Sequence, residues 1–200
     1  LMREVLHQVA PEVIIITETN VPHQENISYF GSGHDEAQMV YNFALPPLIA
    51  FSMMTGDASH MTEWAQQLKL PSDKVCFFNF TASHDGIGMR PVSEILSESE
   101  VKTLVDACTA NGGRVSYRDC GDGTVKPYEL NCTFKDLLTS PDSPMELRMK
   151  RMLLSQAIAL AMPGVPGIYF TSLFGAGNWN EGVETTGINR SINRQKFSTE

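Results

Sequence analysis

The chain has 200 residues, enough for one domain with a substantial core or for part of a larger one. Its 42% hydrophobic and 19% charged residues mark a globular chain, not a disordered one. A formal net charge of -8 argues against a nucleic-acid partner, whose sites collect Lys and Arg, and no apolar run approaches the ~20 residues of a membrane span.

Residues 1–9 read as the tail of a helix stopped before Pro11. The chain opens at Leu1 straight into that pattern, so it reads as a cut piece of a longer protein, with no signal peptide in view. Val13 to Thr17 is an apolar, β-branched run that suits a strand buried on both faces. Residues 19–38 read as loop, and Met39 to Phe43 as a second short strand. Leu45 to Met54 reads as a helix, since Pro46 and Pro47 are tolerated in a first turn. A further helix over 59–68 and a third buried strand, Cys76 to Phe80, follow.

The texture then changes. Leu96, Ser97, Glu100 and Val101 spell a capping box with a hydrophobic staple, opening a helix that ends at Asn111-Gly112-Gly113. Residues 114–144 are rich in Gly, Pro, Ser and Asp and predict only short strands or turns. The clearest helix covers 145–162, with an apolar stripe at Met149, Leu153, Ala157 and Leu160. Val165 to Phe170 reads as a fourth buried strand, and the last thirty residues as polar loop.

This alternation predicts an α/β fold with a parallel sheet. Polar clusters follow the strand ends at 17–26, 81–88 and 171–194, where (β/α) barrels build their active sites. Four strands amount to about half a barrel. The expected organisation is strands and helices over 1–85, an inserted subdomain over 86–145, and a closing helix, strand and loop over 146–200.

Several residues could carry chemistry. Glu18 ends a buried strand; it is either a carboxyl in a partly desolvated pocket with a raised pKa, able to exchange a proton, or a cap or loop ion pair. His84-Asp85-Gly86 follows the third strand, with Gly86 permitting a sharp turn; the bland reading is an Asp-Gly turn. Asn189, Arg190, Asn193 and Arg194 suit hydroxyl, carboxylate or phosphate binding, or form a solvated loop. Tyr128-Glu129 is either the polar wall of a sugar site or packing. Trp64 reads as core, while Trp179 divides between sugar stacking and packing. His7, His23, His34 and His60 show no paired metal-ligand spacing, so no metal is assigned. Cys76, Cys108, Cys120 and Cys132 lack C-x-x-C spacing and read as free thiols of a reducing, cytoplasmic compartment, which makes the sequons at Asn26, Asn79, Asn131 and Asn189 accidental.

These signals coincide in one resemblance. The stretches `IIITETN`, `VYNFALPPL`, `SHDGIG`, `PGVPGIYF` and `NRSINR` resemble the alpha-amylase clan of glycosidases, and within it the sucrose phosphorylase-like group. The resemblance implies the C-terminal half of a (β/α)8 TIM barrel, four parallel strands with helices and an inserted small subdomain. It makes Glu18 the general acid/base and Asp85 the transition-state stabiliser. It gives His84, Asn193 and Arg194 to the glucosyl unit and Tyr128 and Glu129 to a mobile acceptor-side loop. Its nucleophile is an Asp ending the preceding barrel strand, outside these 200 residues. `TETNVPHQEN`, `SHDGIG`, `PYELN` and `NRSINR` look closer to glucosylglycerate phosphorylases, which use inorganic phosphate and no cofactor to convert 2-O-glucosylglycerate to glucose 1-phosphate and glycerate. Sucrose or sucrose-phosphate phosphorylase, an alpha-amylase-type hydrolase, and an inactive half-barrel that only binds sugar or self-associates through open sheet edges stand as alternatives.

Overall fold

A computed structural model describes residues 2–198; residue 1 and residues 199–200, at the ends of the first and last expected segments, lie outside the described residues. After helix α1 (Met2–Val9), four short strands form one parallel sheet: β1 (Ile16–Thr17), β2 (Met39–Tyr41), β3 (Cys76–Asn79) and β7 (Val165–Pro166), in that spatial order. Ile16 pairs with Met39, Val40 with Phe77 and Phe78 with Val165, so all four strands start and stop at similar heights. A second sheet is antiparallel, in the order β4 (Ile87–Gly88), β6 (Val125–Asn131), β5 (Arg114–Asp119).

The helices explain why these sheets hold together. Helix α3 (Leu45–Thr55) buries Leu45 through Phe51 without interruption and ends on Gly56 in the left-handed conformation. Its prolines stand where backbone N–H groups have no helical acceptor, so they cost no hydrogen bond. Such a helix belongs at a core's centre, and α3 packs against α4 (Ser59–Gln67), α5 (Glu98–Ala110), α6 (Phe134–Leu138), α7 (Met145–Ala161) and β4. Leu48, Ile49, Val92, Leu104 and Leu130 are all fully buried there, and Trp64 joins them. A smaller cluster of Phe30, Val40, Val75 and Phe77 lies against the parallel sheet. The capping box forms as the sequence predicts: Ser97 Oγ accepts from the Glu100 N–H at 3.3 Å and Glu100 Oε2 accepts from the Ser97 N–H at 2.8 Å.

Several expectations need correction. The runs 13–17 and 165–170 are not strands buried on both faces. Only two residues of each pair, and Val13, Ile14, Ile16, Val165, Ile168 and Phe170 are exposed. Both strands are sheet edges with a neighbour on one side only, so the apolar pattern is present without its cover. The loop expected over 19–38 contains helix α2 (His23–Ser28), and the polar tail contains α8 (Phe170–Leu173), α9 (Asn180–Thr186) and a 3-10 turn over Asn189–Asn193. Residues 114–131 hold the longest strands of the molecule's described residues, since hairpin partners supply the pairing that composition alone does not reveal.

Helix α7 has two apolar faces at helical spacing. The structure buries Met152, Ser155 and Ala159, and leaves the expected stripe residues Leu153 and Leu160 exposed. Packing on α3 and α6 chose between faces that the period alone treats as equal. The cysteines are free, and the sequon residues Asn26, Asn79 and Asn131 are buried. Among the described residues no helix is long and apolar enough to cross a membrane.

Candidate active site

In a parallel sheet all strand C-termini face one edge, and the loops leaving them converge above it. Glu18 leaves β1 at that edge, and His84-Asp85 lie in the loop leaving β3. Carboxylate oxygens of Glu18 and Asp85 and a ring nitrogen of His84 lie within 4.8 Å of one another. Glu18 and Asp85 thus meet in space although 67 residues separate them in sequence.

They line a cavity of about 240 Å³, together with Asn20, Phe43, Gly86, Tyr128, Glu129 and Arg190. A larger cleft of about 750 Å³ lies between α5 and the β5–β6 hairpin, but its ion pairs, Lys102–Asp106 and Lys126–Glu98, are internally matched and exposed. The smaller cavity is where titratable groups converge from separate elements, so it is the better site.

Its walls have different characters. Glu18 is exposed, which corrects the partly desolvated setting expected of it. Tyr41 lies close: burial, and then the Glu18 charge, push its phenol up. Tyr41, Phe43, Phe78 and Phe80 form an aromatic cluster with centroids 4.8–6.1 Å apart, of which Phe43 lines the cavity. Glu129 is 4% exposed and belongs to strand β6; Tyr128 beside it is half-buried, so this pair is strand and not the loop expected. The Tyr128 carbonyl accepts from the Met89 N–H at 3.0 Å and from Asn20 Nδ2 at 3.4 Å, which ties the cavity rim to β4 and to the segment after Glu18.

Gly86 is needed for a reason other than the sharp turn expected. A Cβ there would lie 2.9 Å from Glu129 Cβ and 3.0 Å from the Leu130 carbonyl oxygen. The residue lets the Asp85 loop lie directly on β6.

The 3-10 turn closes the site. In such a turn positions three apart eclipse, so Arg190 and Asn193 face the same loop. Asn193 is buried and donates to the Ser83 and Asp85 carbonyls at 3.0 and 2.8 Å. Sugar contact was expected of it; its amide nitrogen is occupied in bracing the 83–85 turn. Arg194 donates through Nε to the His84 carbonyl at 2.6 Å and through Nη2 to Asp85 Oδ1 at 3.3 Å, outside the cavity lining. Trp179 also stands outside the cavity, its ring over Gly182.

Arg190 is the residue whose position the sequence left unplaced. Its Nε and Nη2 donate to the two Glu129 oxygens at 3.0 and 2.6 Å, and its Nη1 lies 2.8 Å from Asp85 Oδ1. The Glu129 bond, ahead of its and Asp85's charges, raises the Arg190 pKa. The spacing of Arg190 and Arg194 hinted at a shared turn; the partners 61 and 105 residues away had no local signal. The Glu18, His84 and Asp85 atoms could in principle meet a cation, but guanidinium groups already stand on Asp85, so the donor set does not call for a metal.

No family model matches the chain. It is 50% identical over 99% of its length to a glucosylglycerate phosphorylase of Allomeiothermus silvanus, covering 36% of that protein. It is 48% identical over 98% of its length to a glucosylglycerate phosphorylase of Escherichia coli, covering 35% of that protein. The crystal structure of sucrose 6F-phosphate phosphorylase from Thermoanaerobacter thermosaccharolyticum superposes on 99% of the chain and 38% of its own with a TM-score of 0.81; at 20% identity this shows the fold alone. The chain spans about a third of the length of the curated relatives it matches. Over that span, the chain is similar in sequence to proteins named glucosylglycerate phosphorylase and in fold to part of a sucrose 6F-phosphate phosphorylase.

Proposed function

We propose that the chain is the C-terminal half of a (β/α)8 barrel, with 86–145 inserted between its 1–85 and 146–200 segments, in a retaining glycoside phosphorylase. The reaction is transfer of a glucosyl unit from an α-glucoside, 2-O-glucosylglycerate, to phosphate, giving glucose 1-phosphate. The observation that carries it is the meeting of Glu18, His84 and Asp85 at the C-terminal edge of the parallel sheet. The similarity to proteins named glucosylglycerate phosphorylase supports the substrate. The exposed apolar residues on both edge strands support the half-barrel, because further strands would cover them. Left uncovered, the same edges would promote self-association.

Glu18, at the open side of the cavity, protonates the leaving glycosidic oxygen and later takes the proton of the attacking phosphate. Asp85 stabilises the oxocarbenium-like transition state with one negative charge. His84 walls the sugar side, Asn193 and Arg194 brace the 83–85 loop through its carbonyls, and Tyr128 faces the acceptor, with both Glu129 oxygens held by Arg190. The nucleophile is an Asp on the preceding strand, outside these residues, so the 200-residue chain alone should not cleave a glycoside at a useful rate. The approach of Glu18 to Asp85 falls near the ~5 Å separation of a retaining pair. An active isolated chain would therefore reassign the nucleophile to Asp85.

The deciding experiment gives the full-length protein phosphate and a panel of glucosides. Glucose 1-phosphate from glucosylglycerate is expected. Free glucose would make the protein a hydrolase, and glucose 1-phosphate from sucrose or its phosphate would move the acceptor.

A further inference from the structure

Among the described residues, two guanidinium groups and one imidazole approach Asp85, and all three come closest to the same oxygen. Arg190 Nη1 is 2.8 Å from Oδ1, Arg194 Nη2 is 3.3 Å and His84 Nε2 is 3.6 Å. Among the described residues Oδ2 takes no hydrogen bond. A carboxylate gripped through one oxygen is held against rotation about its last torsion and keeps the other oxygen for a ligand.

The two arginines differ in what holds them. Arg194 reaches back to the His84 carbonyl of the very loop it serves. Arg190 is anchored on a different element, through both oxygens of Glu129. Glu129 is 4% exposed and its strand pairs on both sides, with β4 and with β5, so the anchor is rigid. The parallel bonds from Nε and Nη2 fit a planar guanidinium fork and no ammonium group.

We infer that Arg190 is a positioning residue: braced on Glu129, it orients the Asp85 carboxylate so that Oδ2 is left for the sugar. The geometry stands by itself; its kinetic consequence rests on the glycoside phosphorylase reading. Asp85 matters most when positive charge develops, so misplacing it should lower kcat more than it changes donor binding.

The test uses the full-length protein and whichever glucoside it phosphorolyses. Arg190→Gln should lower kcat about 10- to 100-fold, the usual size for losing charged hydrogen bonds, with the donor KM within about threefold. Arg190→Lys should recover part of this loss, since the charge remains without the fork. Glu129→Gln should lower kcat by a smaller factor, and adding it to Arg190→Gln should cost nothing more, because both changes release the same brace. Losses that multiply in the double variant, or an Arg190→Gln enzyme within twofold of wild-type kcat, would overturn the inference. Should Arg190→Gln fail to fold, Arg190→Lys, Glu129→Gln and their combination give the same comparison. A wild-type protein that releases no glucose 1-phosphate from any glucoside counts against the functional reading instead. A crystal structure of the full-length Glu129→Gln protein then decides the geometry: the Asp85 carboxylate should turn or shift, and an unmoved one sinks the proposal.

Discussion

The parallel sheet and the α3-centred core under the antiparallel sheet are built on opposite terms. At the edges of the parallel sheet Ile16 and Val165 are 46% and 43% exposed, while Leu104 and Leu130 in the other region are fully buried. Glu18 comes from the first region and is exposed; Glu129 comes from the second, buried and doubly bonded. The site lies on the seam. Its proposed acid/base and stabiliser leave the less protected sheet through loops, and its brace comes from the closed core. Reactivity and stability should therefore respond to different substitutions.

The strongest test of that division is Glu18→Gln in the full-length protein. Turnover of glucosides with poor leaving groups should fall about 10²- to 10⁴-fold, the range for losing a general acid. Activated donors, which need little protonation to leave, should be slowed less at the glucosylation step. The melting temperature should hardly move, because the side chain is exposed. Equal losses on both donors would make Glu18 structural and erase the contrast.

The reverse experiment is Leu130→Ala. Emptying a fully buried site should cost about 2–5 kcal/mol in denaturant unfolding. Ile16→Ala at the open edge should cost less than about 1 kcal/mol in the same chain, since nearly half of its surface stays in water on folding. Similar costs for the two would show that the edges are covered in solution, as self-association would do.

A pH series sharpens the picture at the join between regions. His23 Nε2 accepts from Trp64 Nε1 at 3.3 Å, so the ring must be neutral, and burial lowers its pKa below 6.5. The unfolded state then binds the proton more readily than the folded one, and stability rises with pH. The His23 contribution should be complete above about pH 6.5 and be lost as pH falls through the lowered folded value. His23→Gln should flatten the dependence in that window, and an unchanged slope would exclude His23 as its source.

The smallest effect belongs to the cap of α5. Hydrogen bonds from the Ser97 backbone and hydroxyl, then from His60, lower Glu100 from 4.5 to about 2. A depressed carboxylate stabilises above its unfolded value, so Glu100→Gln should be slightly less stable at neutral pH. The difference should close between about pH 4.5 and pH 2. A gap that persists at pH 2 would mean that packing, not the charged cap, is responsible.

The contrast between regions also marks what could be read before folding. Short-range chemistry was legible: the Ser97–Glu100 box, the paired prolines opening α3, the halt at Asn111-Gly112, and the alternation that implies parallel strands are each decided within a few residues. The placement of Glu18 and Asp85 after strands was legible for the same reason. The lengths of β1 and β7 were not, because an apolar run carries no record of whether a neighbouring strand covers it. Nor was the buried face of α7, where two stripes of equal period differ only in what packs on them. The Arg190 brace joins Asp85 and Glu129 to a turn far along the chain. The sequence alone determined which charges exist and which local elements carry them. Tertiary structure decided which opposite charges meet, because ion pairing acts over a few ångströms of space whatever the separation along the chain.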